Sequence, residues 1–152
     1  MQRLVEANSR PFIQFVFRFG DDPAGNGVSP TLSLSISNPG AGAARIEQFS
    51  VFLDGKAVAN VGDALTHLAG LTASDDLGTM SYAEAAPSYL KAGSDELVLR
   101  WPRTEKNAAA WDRVLAADTH RLSFEACYCS IFDECWIEKS AVFRPTPVKS
   151  CA

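Results

Sequence analysis

The sequence predicts a mainly β fold: an immunoglobulin-like antiparallel β-sandwich of about seven strands, with two short helices in its connections. Three observations favour this class. Short segments alternate apolar and polar residues, turn-forming residues separate these segments, and only two segments have helical periodicity. A chain of 152 residues can bury a core without a metal or a disulfide. We therefore expect a single domain over 1–152, with loose ends at 1–10 and 146–152.

The first two predicted strands each have one apolar face. Residues 12–19 carry isoleucine or phenylalanine at every second position from Ile13 to Phe19, which is the spacing of a strand with one buried side. Turn-forming residues dominate 20–27, so we expect the chain to reverse there. The next strand, 31–37, alternates aliphatic and hydroxyl residues, and we expect its hydroxyl face to be solvated. That face consists of Thr31, Ser33, Ser35 and Ser37.

A hairpin is predicted in the following segment. Pro39 lacks a backbone N–H and the glycines beside it relax the backbone, so the sheet is interrupted before a third strand over 45–53. Asp54-Gly55 is a strong hairpin-turn signal and leads into a short fourth strand at 56–58.

Two short helices are predicted in the connections. Asn60 can cap a helix whose apolar residues recur at helical spacing until Gly70 ends it. Residues 71–92 give mixed signals, and we expect them to be mostly loop. Thr104 can cap a second helix over 105–116. Its predicted buried face consists of Ala108, Trp111 and Leu115.

Three further strands complete the predicted fold. The first, 97–101, ends at Pro102, which cannot donate to a sheet ladder. The second covers 121–129, and a turn at 131–133 hands over to the third at 135–143. One face of the second strand consists of Leu122, Phe124, Ala126 and Tyr128; the other includes Ser123, Glu125, Cys127 and Cys129.

The charge pattern excludes some partners. The net charge is −4, and the 14 basic residues are scattered along the chain without a run or a helix-face stripe. Nucleic acids are tracked by clustered Lys and Arg, so nucleic-acid binding is not expected. No apolar stretch approaches the roughly 20 residues of a membrane span, and the first ten residues lack a signal-peptide core. Direct membrane insertion by this segment is not expected.

Three of the four cysteines lie within nine residues. Cys127 and Cys129 are two apart on one strand, with parallel side chains about 6.5–7 Å apart at Cα, so they should not bridge each other. Cys129 and Cys135 can face one another across the turn, and a disulfide between them suits an oxidising compartment. A bond between Cys127 and Cys151 is the second choice, and semi-buried thiols are an equal alternative. The spacing is poor for zinc, so no metal ligand is predicted.

Catalytic residues are not expected. His67 and His120 are isolated, and the Gly-x-Ser-x-Gly pattern of a nucleophile elbow is missing from the sequence. Glu125 and Glu134 next to the cysteines would raise a thiol pKa rather than lower it. Paired acidic residues fall in predicted turns, where carboxylates bond to local backbone or face water. These pairs are Asp21-Asp22, Asp75-Asp76 and Asp133-Glu134. We predict a non-enzyme without a cofactor.

The three tryptophans have two interpretations. Side chains of this size usually bury about 150–250 Å² in a core, and we favour that role for Trp101, Trp111 and Trp136. The alternative is that Trp111 and Trp136 face a ligand together with the 71–92 loop.

Several short patches resemble uncharacterised bacterial domains in which an immunoglobulin-like sandwich often follows membrane-spanning helices. The first patches are Arg10-Pro11-Phe12 and a run from Leu32 to Ile46 with the pattern Leu-x-Leu-x-Ile-x-Asn-x-Gly-x-Gly-x-Ala-x-Ile. The others are Asp54-Gly55-Lys56 and the segment from Tyr128 to Trp136. The resemblance implies the sandwich fold and an association with the bacterial envelope. It implies no catalytic residue.

The sequence therefore predicts a non-catalytic β-sandwich module that binds another protein or serves as a structural part of an envelope-associated bacterial protein. A periplasmic or membrane-anchored location is favoured over the cytoplasm, and the oligomeric state is left open. The alternative function is binding of a small ligand or a carbohydrate.

Overall fold

A computed structural model describes residues 9–20, 30–142 and 144–152. Within them it has ten strands and two α-helices. The strands are β1 (Gln14–Gly20), β2 (Thr31–Asn38), β3 (Ala44–Leu53), β4 (Lys56–Val58), β5 (Ser81–Tyr82), β6 (Ser88–Leu90), β7 (Ser94–Pro102), β8 (Leu122–Cys129), β9 (Cys135–Lys139) and β10 (Thr146–Val148). The helices are α1 (Val61–Leu68) and α2 (Ala108–Ala116), and a 3₁₀ turn spans Thr119–Arg121.

The strands form two antiparallel sheets. The first sheet has the order β1-β2-β7-β5. The second has six strands in the order β10-β9-β8-β3-β4, with β6 also paired to β3. This confirms the predicted mainly β fold with two helices. The predicted turn at Asp54-Gly55 joins β3 to β4, and both residues have the positive φ angles (52° and 79°) that a two-residue hairpin turn requires.

Aromatic rings of the two sheets meet in one hydrophobic core. The Phe15 ring of β1 lies 6.1 Å from Phe49 of β3 and 5.9 Å from Phe124 of β8, centroid to centroid. Phe17 also reaches Phe124, at 6.0 Å, and Phe19 meets Trp111 of α2 edge-on at 5.6 Å. The alternating phenylalanines of β1 therefore link the first sheet to the second sheet and to a helix.

The second helix is shorter than the sequence predicted. It starts at Ala108 instead of residue 105, because Asn107 is buried and its side chain bonds outside the helix. The Asn107 amide donates to the carbonyls of Leu77 and Pro102, and its oxygen accepts from the Thr104 N–H. The buried face of this helix also differs from the predicted one, because Leu115 is 48% exposed. The residues of α2 that are buried are Ala110, Trp111 and Val114. Neither α-helix in the described part of the chain has the length and apolar character of a membrane span.

Contrary to expectation, part of the hydroxyl face of β2 is buried. Thr31 and Ser33 are both about 1% exposed. Ser33 lies between Arg18 of β1 and Arg100 of β7 in the sheet register. Long arginine stems on both sides of a small residue remove it from water, an effect that alternation alone does not reveal.

The C-terminal segment is also more ordered than expected. β10 pairs with β9, and Cys151 is buried, so the prediction of a loose end at 146–152 was wrong. Pro147 is accommodated because β10 is an edge strand. The predicted strand over 135–143 ends at Lys139, where Ser140 turns back and its N–H donates to the Phe124 carbonyl. Residues 1–8, 21–29 and Phe143 lie outside the described residues, so the turn predicted at 20–27 falls outside them except for Gly20.

Asn38 organises the end of the first sheet. It is fully buried, and its side-chain oxygen accepts from the N–H groups of Phe12 and Gly40. Its amide donates to the carbonyls of Gly42 and Leu90. A Cβ at Gly42 would overlap the Ser9 carbonyl, so this glycine permits close backbone packing. The Asn-x-Gly-x-Gly pattern therefore has a structural role.

Candidate functional site

The four cysteines lie together on the outer face of the second sheet. Cys127 bonds to Cys151, and Cys129 bonds to Cys135, its direct cross-strand partner. The Cys129–Cys135 bond was the first choice of the sequence prediction, and the Cys127–Cys151 bond was the second. The two bonds are in contact, since the Cys129 and Cys151 sulfurs are 3.7 Å apart. Ile137 and Val148 pack against the sulfurs. We call this group the sulfur cluster.

The C-terminal residues reach the cluster by a short path. β10 adds to the edge of β9, and 149–151 then return over the outer face of the sheet. The Gln48 amide of β3 donates a hydrogen bond to the Cys151 carbonyl. The end of the chain is therefore fixed by a strand pairing, a side-chain hydrogen bond and a disulfide.

Beyond the Cys129–Cys135 bond, residues 130–134 form a hairpin tip with its own hydrogen bonds. The Ser130 N–H donates to the Glu134 carbonyl at 2.8 Å, and the Asp133 N–H donates to the Ser130 carbonyl at 3.1 Å. The Ser130 hydroxyl oxygen accepts from the Phe132 N–H. Asp133 has a φ of 58°, a conformation that aspartate tolerates better than most residues. A hydrogen bond therefore joins the two ends of the tip, and the Cys129–Cys135 disulfide closes its base.

The tip presents apolar side chains to solvent. Ile131 is 66% exposed and Phe132 is 39% exposed. The Asp133 carboxylate accepts a hydrogen bond from Arg45 at 2.9 Å, which ties the tip to β3. Hydrogen bonds to Glu47 and then to Asp133 raise the pKa of the Arg45 guanidinium. Tyr89 of β6, the neighbour of Arg45 in the register, is also strongly exposed.

The inner face of the same strands is different. Tyr128 and Trp136 are cross-strand partners with ring centroids 5.6 Å apart, and the Arg10 guanidinium lies 4.8 Å from the Trp136 ring. Glu138 is also buried here, and its Oε2 atom has no hydrogen-bond partner among the described residues. Burial raises the pKa of Glu138. Burial, together with the nearby Glu138 charge, raises the pKa of Tyr128 to about 12.

The tryptophans are interior residues, so the expectation of ligand-facing rings at Trp111 and Trp136 is corrected. Both are almost fully buried, as is Trp101. The Trp111 indole N–H (Nε1) donates to the Trp101 carbonyl at 3.0 Å, and the Trp101 indole N–H (Nε1) donates to the Leu77 carbonyl at 2.6 Å. Their polar groups are therefore used within the protein.

A concavity lies elsewhere, between β3, β4, the start of α1 and the 82–86 segment. Its volume is about 600 Å³. Tyr82 covers part of it, and its hydroxyl packs so closely on Gly62 that a Cβ there would overlap it. Partial burial, followed by the Asp63 charge, raises the pKa of Tyr82. The lining includes Val51, Val58, Asp63, Tyr82, Glu84 and Ala86.

The isolated histidines are surface residues. The His67 Nδ1 atom lies 2.8 Å from the Asp63 carbonyl in its own helix, and His120 is paired with Asp118 at 3.2 Å in an exposed turn. Of the acidic pairs, Asp75 and Asp76 bond to neighbouring backbone N–H groups, as expected for turns. Asp21 and Asp22 lie outside the described residues. Across 9–20, 30–142 and 144–152, the only group of three or more close metal-binding side chains is Cys129, Cys135 and Cys151.

Sequence reasoning missed three features near these sites: the Asn38 hub, the buried Glu138 and the partnership of Arg10 with Trp136. The alternation of β9 places Glu138 on the core side with Trp136, and that signal was available. The hydrogen bonds of Asn38 and the contact of Arg10 with Trp136 join chain segments that are distant in sequence, so no local pattern predicts them. No family model, curated protein or solved structure matches this chain.

Proposed function

We propose that this chain is a non-catalytic immunoglobulin-like β-sandwich that acts outside the cytoplasm, as the interaction module of an envelope-associated bacterial protein. The observation that carries the proposal is the disulfide-braced tip (130–134), which holds exposed apolar side chains in a fixed conformation. The sandwich arrangement is supported by the ring contacts that join Phe15 and Phe17 to the second sheet.

The disulfides support the location. Disulfides persist in oxidising compartments and are rare in the bacterial cytoplasm. Here all four cysteines are paired, and both bonds are buried. A protein that folds with both bonds in place suits the periplasm or the cell surface.

The tip supports a role in protein binding. Exposed apolar side chains cost free energy in water unless a partner covers them, and a rigid loop loses little conformational entropy on binding. Ile131 and Phe132 are held by the bonds within 130–134 and by the Arg45 contact to β3. Tyr89 extends the exposed aromatic surface at the same end of the sheet.

The charges around the tip indicate the chemistry of the partner. Asp133 and Glu134 are both exposed, and Glu47 lies beside Arg45. A complementary surface has an apolar pocket for Ile131 and Phe132 with basic residues at its rim. We therefore propose a protein partner of that character.

Site-specific photo-crosslinking tests this proposal. A photoreactive phenylalanine replaces Phe132 in the native host, and the same residue replaces Leu115 as the control, because Leu115 is an exposed apolar residue on α2. The expected result is one discrete crosslinked protein from position 132 and none from position 115. Equal crosslinking at both positions, or none at 132, contradicts the proposal. A crosslinked product of twice the chain mass identifies a second copy as the partner.

The concavity of about 600 Å³ favours one second candidate, the binding of a small ligand. This volume is typical of ligand pockets, and its lining mixes aliphatic groups with Tyr82, Asp63 and Glu84. Titration with neutral mono- and disaccharides, followed by amide chemical shifts, separates the two candidates. Saturable shifts around Tyr82 that disappear in the Tyr82→Ala variant support ligand binding.

A further inference from the structure

A groove lies between the start of β1 and the segment that follows β9. Its volume is about 410 Å³. The consecutive residues 12–15 form the wall on the first sheet, and Glu138, Ser140 and Val142 line the opposite wall. Ile13 is fully buried, whereas Val142 is 48% exposed. The groove therefore has apolar sides and is open to solvent at its rim.

Glu138 brings a buried carboxyl group to this groove. The residue is only 6% exposed, and its Oε2 atom has no hydrogen-bond partner among the residues that the structure describes. Burial alone shifts its pKa, so no cation in that part of the chain compensates its charge. A buried carboxyl group without a partner lowers the stability of the fold. A cation from outside the chain can supply the missing partner.

β1 lies at the edge of the first sheet and has unpaired backbone groups on one side. Its seven residues pair with β2 in an unbroken register, and within the described residues no second strand pairs with it. In an antiparallel strand, every second residue directs its N–H and C=O groups to the free side. Proline, lysine and bulges commonly block such edges, and β1 contains none of them. Another extended segment can therefore add to β1 through backbone hydrogen bonds.

The aromatic side chains of β1 indicate which residues such a segment would carry. Phe15, Phe17 and Phe19 pack on the core but are only partly buried, because β1 is the last strand of its sheet. A strand added to β1 directs every second side chain toward the second sheet, beside these rings and Glu138. An apolar side chain there covers the rings, and the ammonium group of a lysine suits the carboxyl group.

We propose that this groove binds an extended peptide segment, which adds to β1 as a further strand and directs one lysine side chain to Glu138. The backbone hydrogen bonds contribute affinity and the lysine contributes specificity. The folded protein already bears the cost of burying the carboxyl group, so the ammonium group gains an attraction without a new desolvation of the acid. The groove is separate from the tip at 130–134, so this inference goes beyond the proposed function and is tested independently of it.

Two synthetic peptides, acetylated and amidated at their ends, test the inference. The first has the sequence Thr-Val-Thr-Lys-Thr-Val-Thr, which places the lysine between two valines on one face of a strand. The second has norleucine in place of the lysine. Binding to the oxidised full chain is followed by amide chemical shifts. We expect saturable shifts in β1 and at 138–142 and none at 130–134, with the lysine peptide binding about tenfold or more tightly than the norleucine peptide.

Two variants make the result decisive. Glu138→Gln removes the charge and keeps the shape, so the two peptides should then bind within about twofold of each other. Glu125→Gln is the matched control on the opposite face of the same strand pair and should keep the preference for lysine.

The inference is overturned if neither peptide gives saturable shifts in β1, if the wild type binds both peptides equally, or if the preference for lysine survives in Glu138→Gln. Binding of n-butylammonium as tight as that of the lysine peptide would also overturn it, because a cation would then bind without strand addition.

Discussion

Strand β8 offers two faces for comparison. Its inner face places Phe124 and Tyr128 in the core that both sheets share, whereas its outer face carries Cys127 and Cys129, which are buried against other sulfurs and two aliphatic side chains. Large rings bury enough area to be stable without cross-links. Small thiols bury little, so the outer cluster depends on covalent bonds.

This difference separates the shared core from the proposed binding surface. The core cluster on the inner face contains no cysteine, so its packing does not depend on an oxidant. The outer face fixes the hairpin tip at 130–134 and the end of the chain, and both depend on the state of the cysteines. A change of redox state should therefore alter the proposed binding surface while the core persists.

The largest expected effect comes from the inner face. Phe124→Ala removes a ring that meets Phe15, Phe17 and Phe49, so the free energy of unfolding should fall by about 3–5 kcal/mol. Urea denaturation of the oxidised protein measures this. Phe132→Ala is the matched control, because it removes a partly exposed ring on the tip and should change stability by about 0.5 kcal/mol or less. Equal losses in both variants would contradict the assignment of the core.

The next effect comes from the longer cross-link. Cys127→Ser with Cys151→Ser opens a loop closed over a separation of 24 residues, which should cost about 3 kcal/mol. The C-terminal segment should also become susceptible to carboxypeptidase, since only the β10 pairing and the Gln48 hydrogen bond then hold it. A variant with unchanged stability and an intact C-terminus would show that strand pairing is sufficient.

The shorter cross-link should matter less for stability. Cys129→Ser with Cys135→Ser opens a loop closed over only six residues, so we expect a loss of about 2 kcal/mol, smaller than for the other pair. The binding of a partner through Ile131 and Phe132 should weaken more in this variant than in the Cys127/Cys151 variant. The reverse order of the two stabilities would refute the loop-length argument.

The smallest effect is a pH dependence on the inner face. Burial holds the pKa of Glu138 above its usual value, so the folded protein binds this proton more tightly than the unfolded chain. The contribution to stability is complete below the unfolded pKa and is lost as the pH rises through the folded pKa. Glu138→Gln should therefore be more stable than the wild type at pH 7, with the difference shrinking toward about pH 4.

Urea denaturation across this pH range measures the effect, and Glu125→Gln is the control because Glu125 lies on the opposite face of the same strand pair. A difference between Glu138→Gln and the wild type that grows toward acid pH would show that the carboxylate, not the carboxylic acid, is the favoured buried form.

The sequence predicted most strands because alternation along one strand is a local property. β8 is the clearest case: both of its faces follow from the pattern of residues 121–129. The strand β10 was missed because Pro147 lacks a backbone N–H, and only its position at a sheet edge makes a proline acceptable. The burial of Ser33 depends on neighbouring strands, and the hydrogen bonds of Asn38 reach backbone groups of distant segments at Phe12 and Leu90. No local pattern contains either arrangement.

The candidate site was predictable in part. The two-residue spacing excluded a bond between Cys127 and Cys129. The predicted turn at 131–133 favoured the bond between Cys129 and Cys135. That Cys151 completes the cluster follows from β10 and the Gln48 bond, which are products of the fold. The sequence did not decide the role of Trp111 and Trp136, because both could lie in the core or in a groove until their neighbours were known.

Residue-level amide hydrogen exchange, compared between the oxidised protein and the phosphine-reduced protein with a metal chelator present, tests the central claim most directly. The two faces of β8 and β9 are stabilised separately, so reduction should remove protection from β10, 149–151 and the tip at 130–134, while β1, β2, β3 and β7 keep theirs. A uniform loss of protection across both sheets, or unchanged protection in β10 and the tip, would contradict this account.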